Sequence, residues 1–459
     1  MLLGKRQERH FPSTTIQPSF PMRLIACLTC VLMTSTAGAA EWKQFRGPDG
    51  QGHADARNLP LKWSESENVQ WKTAIPGRGW SSPVLEANTI WMTTAVEEIL
   101  AGEALEKARK ERLGANPMAK QLSLVGSVSL RAISVDATTG KLLTDVELML
   151  VKNPPAIHTL NSYASPTPIL DGNLLLCHFG ELGTACLDTY SGKVLWKAVL
   201  PSTHAVGAGS SPVVHGDLFI VPCDGTDLQY VVGLNKRTGE QVWKTKRPAM
   251  SGTNGDFHKS YSTPLVATVS GKSQVIIPGA QWVASYEPET GREIWRVRYG
   301  DGFSNVPRPV VVNNLVCVCT GFMQPQLLAI KMDGEGDVTA SHIAWKIPKS
   351  IPTMPSPVVV GDEIYYVTDQ GVATCANAQN GEVIWTHRLG GNYSASPLAA
   401  AGRIYFSNRE GDTTVIQPGK AYTELAVNKL EGQHMASPAV LEDALLLRTN
   451  THLYRIANR

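Results

Sequence analysis

Apolar positions in this chain fall into short runs, and polar turn residues cut the runs at close intervals. One stretch shows the pattern in full: Ser211-Pro-Val-Val-His215, Asp217-Leu-Phe-Ile-Val-Pro222, Gln229-Tyr-Val-Val-Gly-Leu234 and Gln241-Val-Trp-Lys-Thr245. Runs this short, rich in β-branched and aromatic residues and broken by Gly, Asp and Asn, predict strands. Their close spacing predicts antiparallel hairpins. Tight turns fall at His215-Gly-Asp217 and at Asn235-Lys-Arg-Thr-Gly239, where Gly supplies a positive φ. The same four-run block recurs along the chain. Each copy opens on Ser-Pro or a near equivalent: Ser82-Pro83, Ser165-Pro166, Ser211-Pro212, Thr263-Pro264, Arg308-Pro309, Ser356-Pro357, Ser396-Pro397 and Ser437-Pro438. From the second mark on, the copies lie about 40 to 52 residues apart, a period of propeller blades or solenoid units. Trp196, Trp243, Trp295 and Trp385 close their blocks at one fixed place after a Gly-Lys, Gly-Glu or Gly-Arg pair, and Trp345 holds a similar place. A Trp there predicts packing between blades, because a buried indole removes a large apolar area from water.

Eight blocks predict an all-β, eight-bladed β-propeller of four-stranded antiparallel blades. The eighth block runs Ser437-Pro-Ala-Val440, Ala444-Leu-Leu-Leu-Arg448, His452-Leu-Tyr-Arg-Ile456 and lacks an outer strand. Val69-Gln-Trp-Lys-Thr73 reads like Val194-Leu-Trp-Lys197, so this early segment is expected to join the last blade and close the ring. Closure removes exposed sheet edges. The propeller then spans 69–459, with 41–68 as an extended lead-in. The first block is too long, by roughly Val96 to Ser127. There Val96, Ile99, Leu100, Ala104 and Ala108 approach helical spacing among charged residues, which predicts an amphipathic helix from Val96 to Leu113. This 96–127 insertion leaves on the mouth side of the ring. It is expected to cap the mouth, to offer its apolar stripe to a partner, or to rest on its own blade.

Residues 1–40 carry the marks of a secretory signal peptide: Arg23, the apolar stretch Leu24 to Met33, then Gly38-Ala39-Ala40. Met22 is a candidate for the true start. The apolar stretch is too short to span a membrane. Leu24-Ile-Ala-Cys27 resembles a lipoprotein signal but lies too close to Arg23, so a lipid anchor is not expected. Export to the periplasm or beyond is the expected fate. Cleavage after Ala40 removes four basic residues and one acidic residue, which turns the formal charge of +2 into −1. A nearly neutral chain gives no support to nucleic-acid binding. Six cysteines remain: Cys177, Cys186, Cys223, Cys317, Cys319 and Cys375. An exported chain can oxidise them, and Cys177 and Cys186 on consecutive runs are candidates for a cross-strand pair. The other reading is small buried apolar residues. No Cys-x-x-Cys or Cys/His zinc spacing survives that cleavage, and a nucleophile elbow and a phosphate loop are absent.

Asp188-Thr-Tyr-Ser-Gly-Lys-Val-Leu-Trp196, with weaker copies elsewhere, resembles the signature of quinoprotein alcohol dehydrogenase-like propellers. That superfamily includes pyrroloquinoline quinone (PQQ) dehydrogenases and the BamB assembly lipoproteins. Trp42-x-x-Phe-Arg-Gly47, Cys223-Asp-Gly-Thr-Asp-Leu-Gln-Tyr230, Gly336-Asp-Val-Thr339 and Asn392-Tyr-Ser-Ala-Ser-Pro397 resemble more narrowly an exported PQQ-like repeat family of planctomycete bacteria. The resemblance covers nearly all of 42–459 and implies the propeller fold. For the catalytic members it implies PQQ beside calcium or a lanthanide, held by carboxylate and Asn ligands, with a general-base Asp and often an adjacent pair of cysteines. This chain has no Cys-Cys pair, and the other parts cannot be placed. The expectation is therefore a non-catalytic scaffold that binds an envelope protein or a small molecule, as a monomer. The alternative is a PQQ-dependent oxidoreductase with a diverged site.

Propeller geometry puts the loops before each first strand on one face, the usual ligand mouth. Candidate residues there are Trp80, Tyr163 and Tyr261, three positions before a marked Pro, with Tyr393 and His434 one place earlier. Aromatics in such a ring stack on a planar ligand or plug the channel. Asn161, His204, Asp227 and His258 add polar groups. His204, His258 and Asp256 have metal-ligand chemistry without diagnostic spacing. Arg308 replaces the Ser of the repeat mark, which points to a bound anion or an internal carboxylate.

Overall fold

The computed structural model describes residues 41–459, and the expected signal peptide lies outside the described residues. Eight antiparallel blades succeed one another along the chain, each built around four strands in chain order except the last. Blade 3, for example, comprises Val213–His215, Leu218–Asp224, Gln229–Asn235 and Gln241–Lys246. The last blade takes Val69–Ala74 as its outer strand, paired antiparallel with His452–Ala457 so that Lys72 faces Tyr454. Ring closure by the N-terminal strand is therefore observed.

The recurring Gly and Trp have one joint explanation. A Cβ on Gly239 would lie 2.6 Å from the ring of Trp196, one on Gly381 2.6 Å from Trp345, and one on Gly140 2.7 Å from Trp71. In each case the turn glycine of one blade lies on the outer-strand Trp of the blade before it. These turn glycines also have φ between +73° and +76°. In two of these pairs the indole N–H also reaches the neighbouring turn: Trp196 donates to the Lys236 carbonyl at 3.0 Å and Trp71 to the Ala137 carbonyl at 3.0 Å, while the Trp345 N–H has no partner among the described residues. An apolar face and a hydrogen bond thus lock blade to blade through one side chain.

At the inner end a second device links the blades. The backbone N–H at the mark of one blade donates to the hydroxyl at the mark of the next: Ser82 to Thr167, Thr167 to Ser211, Ser211 to Thr263, Arg308 to Ser356, Ser356 to Ser396, Ser396 to Ser437, and Ser437 back to Ser82, all at 2.9–3.1 Å. The mark of the second blade is therefore Thr167-Pro168, two residues beyond the expected Ser165-Pro166. The double Ser-Pro-Thr-Pro sequence hid this register. Arg308 is the one break in the belt.

Three further expectations change. The first blade is long because its strands Thr89–Ile99 and Val125–Asp136 extend, so Val96 and Ile99 lie on a strand and are exposed. The helix is Gly102–Arg112, and Ala108 is its single buried residue. An apolar stripe is thus lacking on it. Arg112 holds its end down by donating to the Val125 and Pro154 carbonyls. The six described cysteines are free and buried. Cys186 pairs across the ladder with Leu176, not with Cys177, so the two thiols point to opposite faces of the blade and into different core clusters.

The lead-in is not a simple extended approach. Glu41–Trp42 pairs antiparallel with the inner strand of blade 1, and His53–Ala54 pairs parallel with the inner strand of blade 7. Between them the chain enters the central channel from the face opposite the mouth, turns, and leaves by the same face. Trp42, 2% exposed, lies in the core cluster with Leu59 and Trp63.

Candidate functional site

The turn of this lead-in seals the channel. Phe45 stands at its tip and forms the floor of a cavity of about 680 Å³ that opens on the mouth face. The wall rises in two tiers that the repeat itself supplies. The lower tier is the hydroxyl belt: Ser82, Thr167, Ser211, Thr263, Ser356, Ser396 and Ser437 all line the cavity. The upper tier is the residue three before each true marked Pro: Trp80, Ser165, Gly209, Tyr261, Val306, Met354, Ser394 and Met435. Alternation along an extended chain turns every second side chain to the same side. Positions one and three before the Pro therefore face the lumen, and the position four before it faces away.

That alternation sorts the expected site residues. Trp80, Asn161 and Tyr261 line the cavity. Trp80 is anchored by donating to the Leu160 carbonyl, and Tyr261 by donating to the His204 carbonyl at 2.8 Å. Asn161 is largely occupied with loop carbonyls of Val206 and Ala208 and with Ser165. Tyr393 and His434, four before their Pro, are both 1% exposed and packed between blades. Tyr163 owes its place to the shifted mark; it is buried and donates to the Pro155 carbonyl. Asp227 braces its own loop through the Thr203 N–H and hydroxyl. His258 faces the Ser251 carbonyl at 3.1 Å, and His204 lies beside Tyr261 with rings 6.3 Å apart. Asp256 is committed to Lys259 at 2.8 Å. Among the described residues no three His, Cys, Asp or Glu side chains come together to hold a metal.

Arg308 lies at the level of the belt and turns down toward the plug. It donates to the carbonyls of Pro264 and Phe45 and to the Gln44 side chain. Of the two readings of this residue, an internal carboxylate is not what it meets; its partners are neutral oxygens. Arg46, next to Phe45, donates to the carbonyls of Gln51 and Pro357, while its Nε and Nη1 have no partner among the described residues. Arg448 bonds to Ser81 and to the Thr93 carbonyl. All three are 2–3% exposed, and none has a carboxylate within ion-pair distance among the described residues. Burial lowers their pKa values to about 9, 10 and 9 for Arg46, Arg308 and Arg448, and the Arg308 charge adds to the effect at Arg46. They remain cationic at neutral pH. Burial also holds His434 near 4 and His178 near 3, so both are neutral.

The upper rim draws on parts that the repeat does not predict. Phe257, Phe303 and Phe322 form an aromatic cluster, with ring centroids 4.9 and 5.9 Å apart in successive pairs. Met118 and Gln121, from the end of the insertion, and Met323 complete it. The insertion thus reaches the mouth through its last turn and not through its helix. A strand pair, Leu122–Ser123 with Ile157–His158, fixes that turn in place.

Known proteins share this architecture. BamB from Moraxella catarrhalis matches with a TM-score of 0.51 at 15% identity, over 73% of this chain and 100% of that one. A quinohemoprotein alcohol dehydrogenase from Pseudomonas putida matches with a TM-score of 0.58 at 8% identity, over 91% and 80%. At these identities the two structures attest to the shared fold. Tetrathionate hydrolase from Acidithiobacillus ferrooxidans is 23% identical over 361 residues, 74% of this chain but only 64% of that protein's length. The family model described as outer membrane protein assembly factor BamB matches residues 68–278, 129–347 and 279–433. These matches run through well over half of the chain, and the protein therefore belongs to that family.

Proposed function

We propose that the protein is an exported binding propeller of the cell envelope whose mouth cup holds a small molecule with a largely apolar body. The observation that carries this reading is the sealed cup: Phe45 closes the floor, and two tiers of repeat residues build the wall. A cavity of about 680 Å³ is of ligand size, and ligand sites are mostly apolar with a few placed polar groups. Four methionines, Met118, Met323, Met354 and Met435, give the upper wall an adaptable surface. Export rests on the signal-like residues 1–40 and on the family. No described helix is long and apolar enough to cross a membrane.

A calcium ion beside a quinone does not fit this donor set. Calcium takes six to eight oxygen ligands, several of them carboxylates. The cup offers one carboxylate, Asp256, and Lys259 already holds it.

The reading is tested by thermal melting of the full chain with a panel of small apolar and amphiphilic compounds, followed by the quenching of Trp80 fluorescence. A ligand that binds the folded state raises the melting temperature. Silence across the panel would sink the reading. Turnover of alcohols or sugars with added PQQ and calcium, followed by dye reduction, would replace it with the oxidoreductase.

A further inference from the structure

The lower tier of the cup has hydrogen-bond capacity that the fold does not use. Each belt hydroxyl accepts one backbone N–H from the blade before it. A hydroxyl also carries one hydrogen to donate. Ser396 donates to Ser356 at 3.0 Å. For Ser82, Thr167, Ser211, Thr263, Ser356 and Ser437 no acceptor is found among the described residues, although these side chains are at most 6% exposed and line the cavity. Buried donors without acceptors are costly, and each oxygen has already given one lone pair to a backbone N–H, so what these hydroxyls have left unused is above all hydrogen for whatever fills the base of the cup.

Charge points the same way. Arg308 occupies the belt position in blade 5, and Arg46 follows the floor residue Phe45. Neither has a carboxylate partner among the described residues, and Arg46 Nε and Nη1 are unpartnered there. Asp49 offsets both from beyond ion-pair distance, and in a low-dielectric interior two cations facing one carboxylate still act on the space above them. The cup wall above is apolar.

We infer that the base of the cup is an oxyanion seat, and that the ligand is an amphiphilic anion: a carboxylate, sulfonate or sulfate head on the hydroxyl belt, with an apolar body against the methionines and phenylalanines. This inference rests on the binding-cup reading and names the ligand class for it. Donors arranged around a charged head discriminate steeply against a head that lacks acceptors, because they are then left unpaired.

The test is a head-group series at constant chain length on the full chain: octanesulfonate, octanol and octylamine, with sodium sulfate as the head alone, measured by calorimetry and melting temperature. Octanesulfonate is expected to bind at least about tenfold more tightly than octanol, and octylamine less tightly still. Met435→Glu, which puts a carboxylate in the wall, is expected to weaken octanesulfonate by about tenfold or more and octanol less. Ser211→Ala with Ser437→Ala is expected to erase the preference for the sulfonate. If that protein fails to fold, Met435→Glu and the series on the unaltered chain still decide. Equal binding of octanol and octanesulfonate overturns the oxyanion seat while leaving the cup. Binding of sulfonate that Met435→Glu leaves untouched places the anion elsewhere and also overturns the seat. No binding of any octyl compound removes the cup reading itself.

Discussion

The two ends of the central channel are made from different material. The mouth end is largely periodic: below the rim, seven blades supply both of the same two positions before their proline, and the fifth supplies Val306 alone. The opposite end is unique. One non-repeated segment fills it with Trp42, Phe45 and Arg46, and one aberrant repeat position, Arg308, ties that segment in place. A ring of equal blades cannot close its own axis, because identical units leave a lumen with their own symmetry. A piece from outside the repeat is needed to turn a tube into a cup.

The largest test of this contrast deletes 41–75, which removes both the plug and the closing strand. The exposed edge and the emptied channel together should exceed the whole stability of a domain, about 5–15 kcal/mol. Soluble monomer is expected to vanish from size-exclusion chromatography, and a monomer as heat-stable as the parent would refute the closure. Next comes Arg308→Ala, which strands the carbonyls of Pro264 and Phe45. About 4 kcal/mol of destabilisation is expected in denaturant titration. Arg308→Ser restores a belt hydroxyl and should recover about 1 kcal/mol of it. Gly50→Ala addresses the same joint from the plug side. Gly50 has φ +70°, and a Cβ there would collide with the Arg308 guanidinium, so about 2 kcal/mol is expected to be lost.

A pH test compares the inter-blade space with the lumen. His434 is buried with both ring nitrogens unpartnered among the described residues, and its pKa falls to about 4 from the ordinary 6.5. Below pH 6.5 the unfolded chain binds a proton that the folded chain refuses, so stability falls as pH drops from 6.5 toward 4. His434→Leu should remove about 1 kcal/mol per pH unit of that slope, read from melting curves across the window. The smallest effect is expected from replacing 100–121 with a short Gly-Ser linker. Stability should change by less than about 1 kcal/mol, because a surface insertion adds little loop entropy. Ligand affinity should still fall, because Met118 and Gln121 leave the cup wall.

Much of the fold was legible from the chain. Blade number, strand order, the closing segment and the Trp lock all repeat, and a repeated pattern survives local noise. The candidate site was legible only in part. Trp80 and Tyr261 are legible because their blades carry a single marked proline, Pro83 and Pro264. Tyr163 was drawn in by a two-residue slip at Ser165-Pro-Thr-Pro168, and Tyr393 and His434 by reading one position to the wrong side of the strand. The column of residues three before each true proline was present in the sequence, and aligning the blades on the belt hydroxyls would have exposed it.

By itself the sequence determined the periodic half of this protein: eight antiparallel blades, the turn glycines that lie on tryptophans, and the N-terminal strand that closes the ring. Hydrophobic alternation and turn chemistry act over a few residues, and repetition carries them around the circle. Only the tertiary structure decided that the lead-in turns back inside the channel, that Arg308 serves it, and that the mouth is a cup. Those facts depend on meetings such as that of Arg308 with Phe45, 263 residues apart. No local propensity specifies a contact at that distance; it forms once the ring has built the space that the plug must fill.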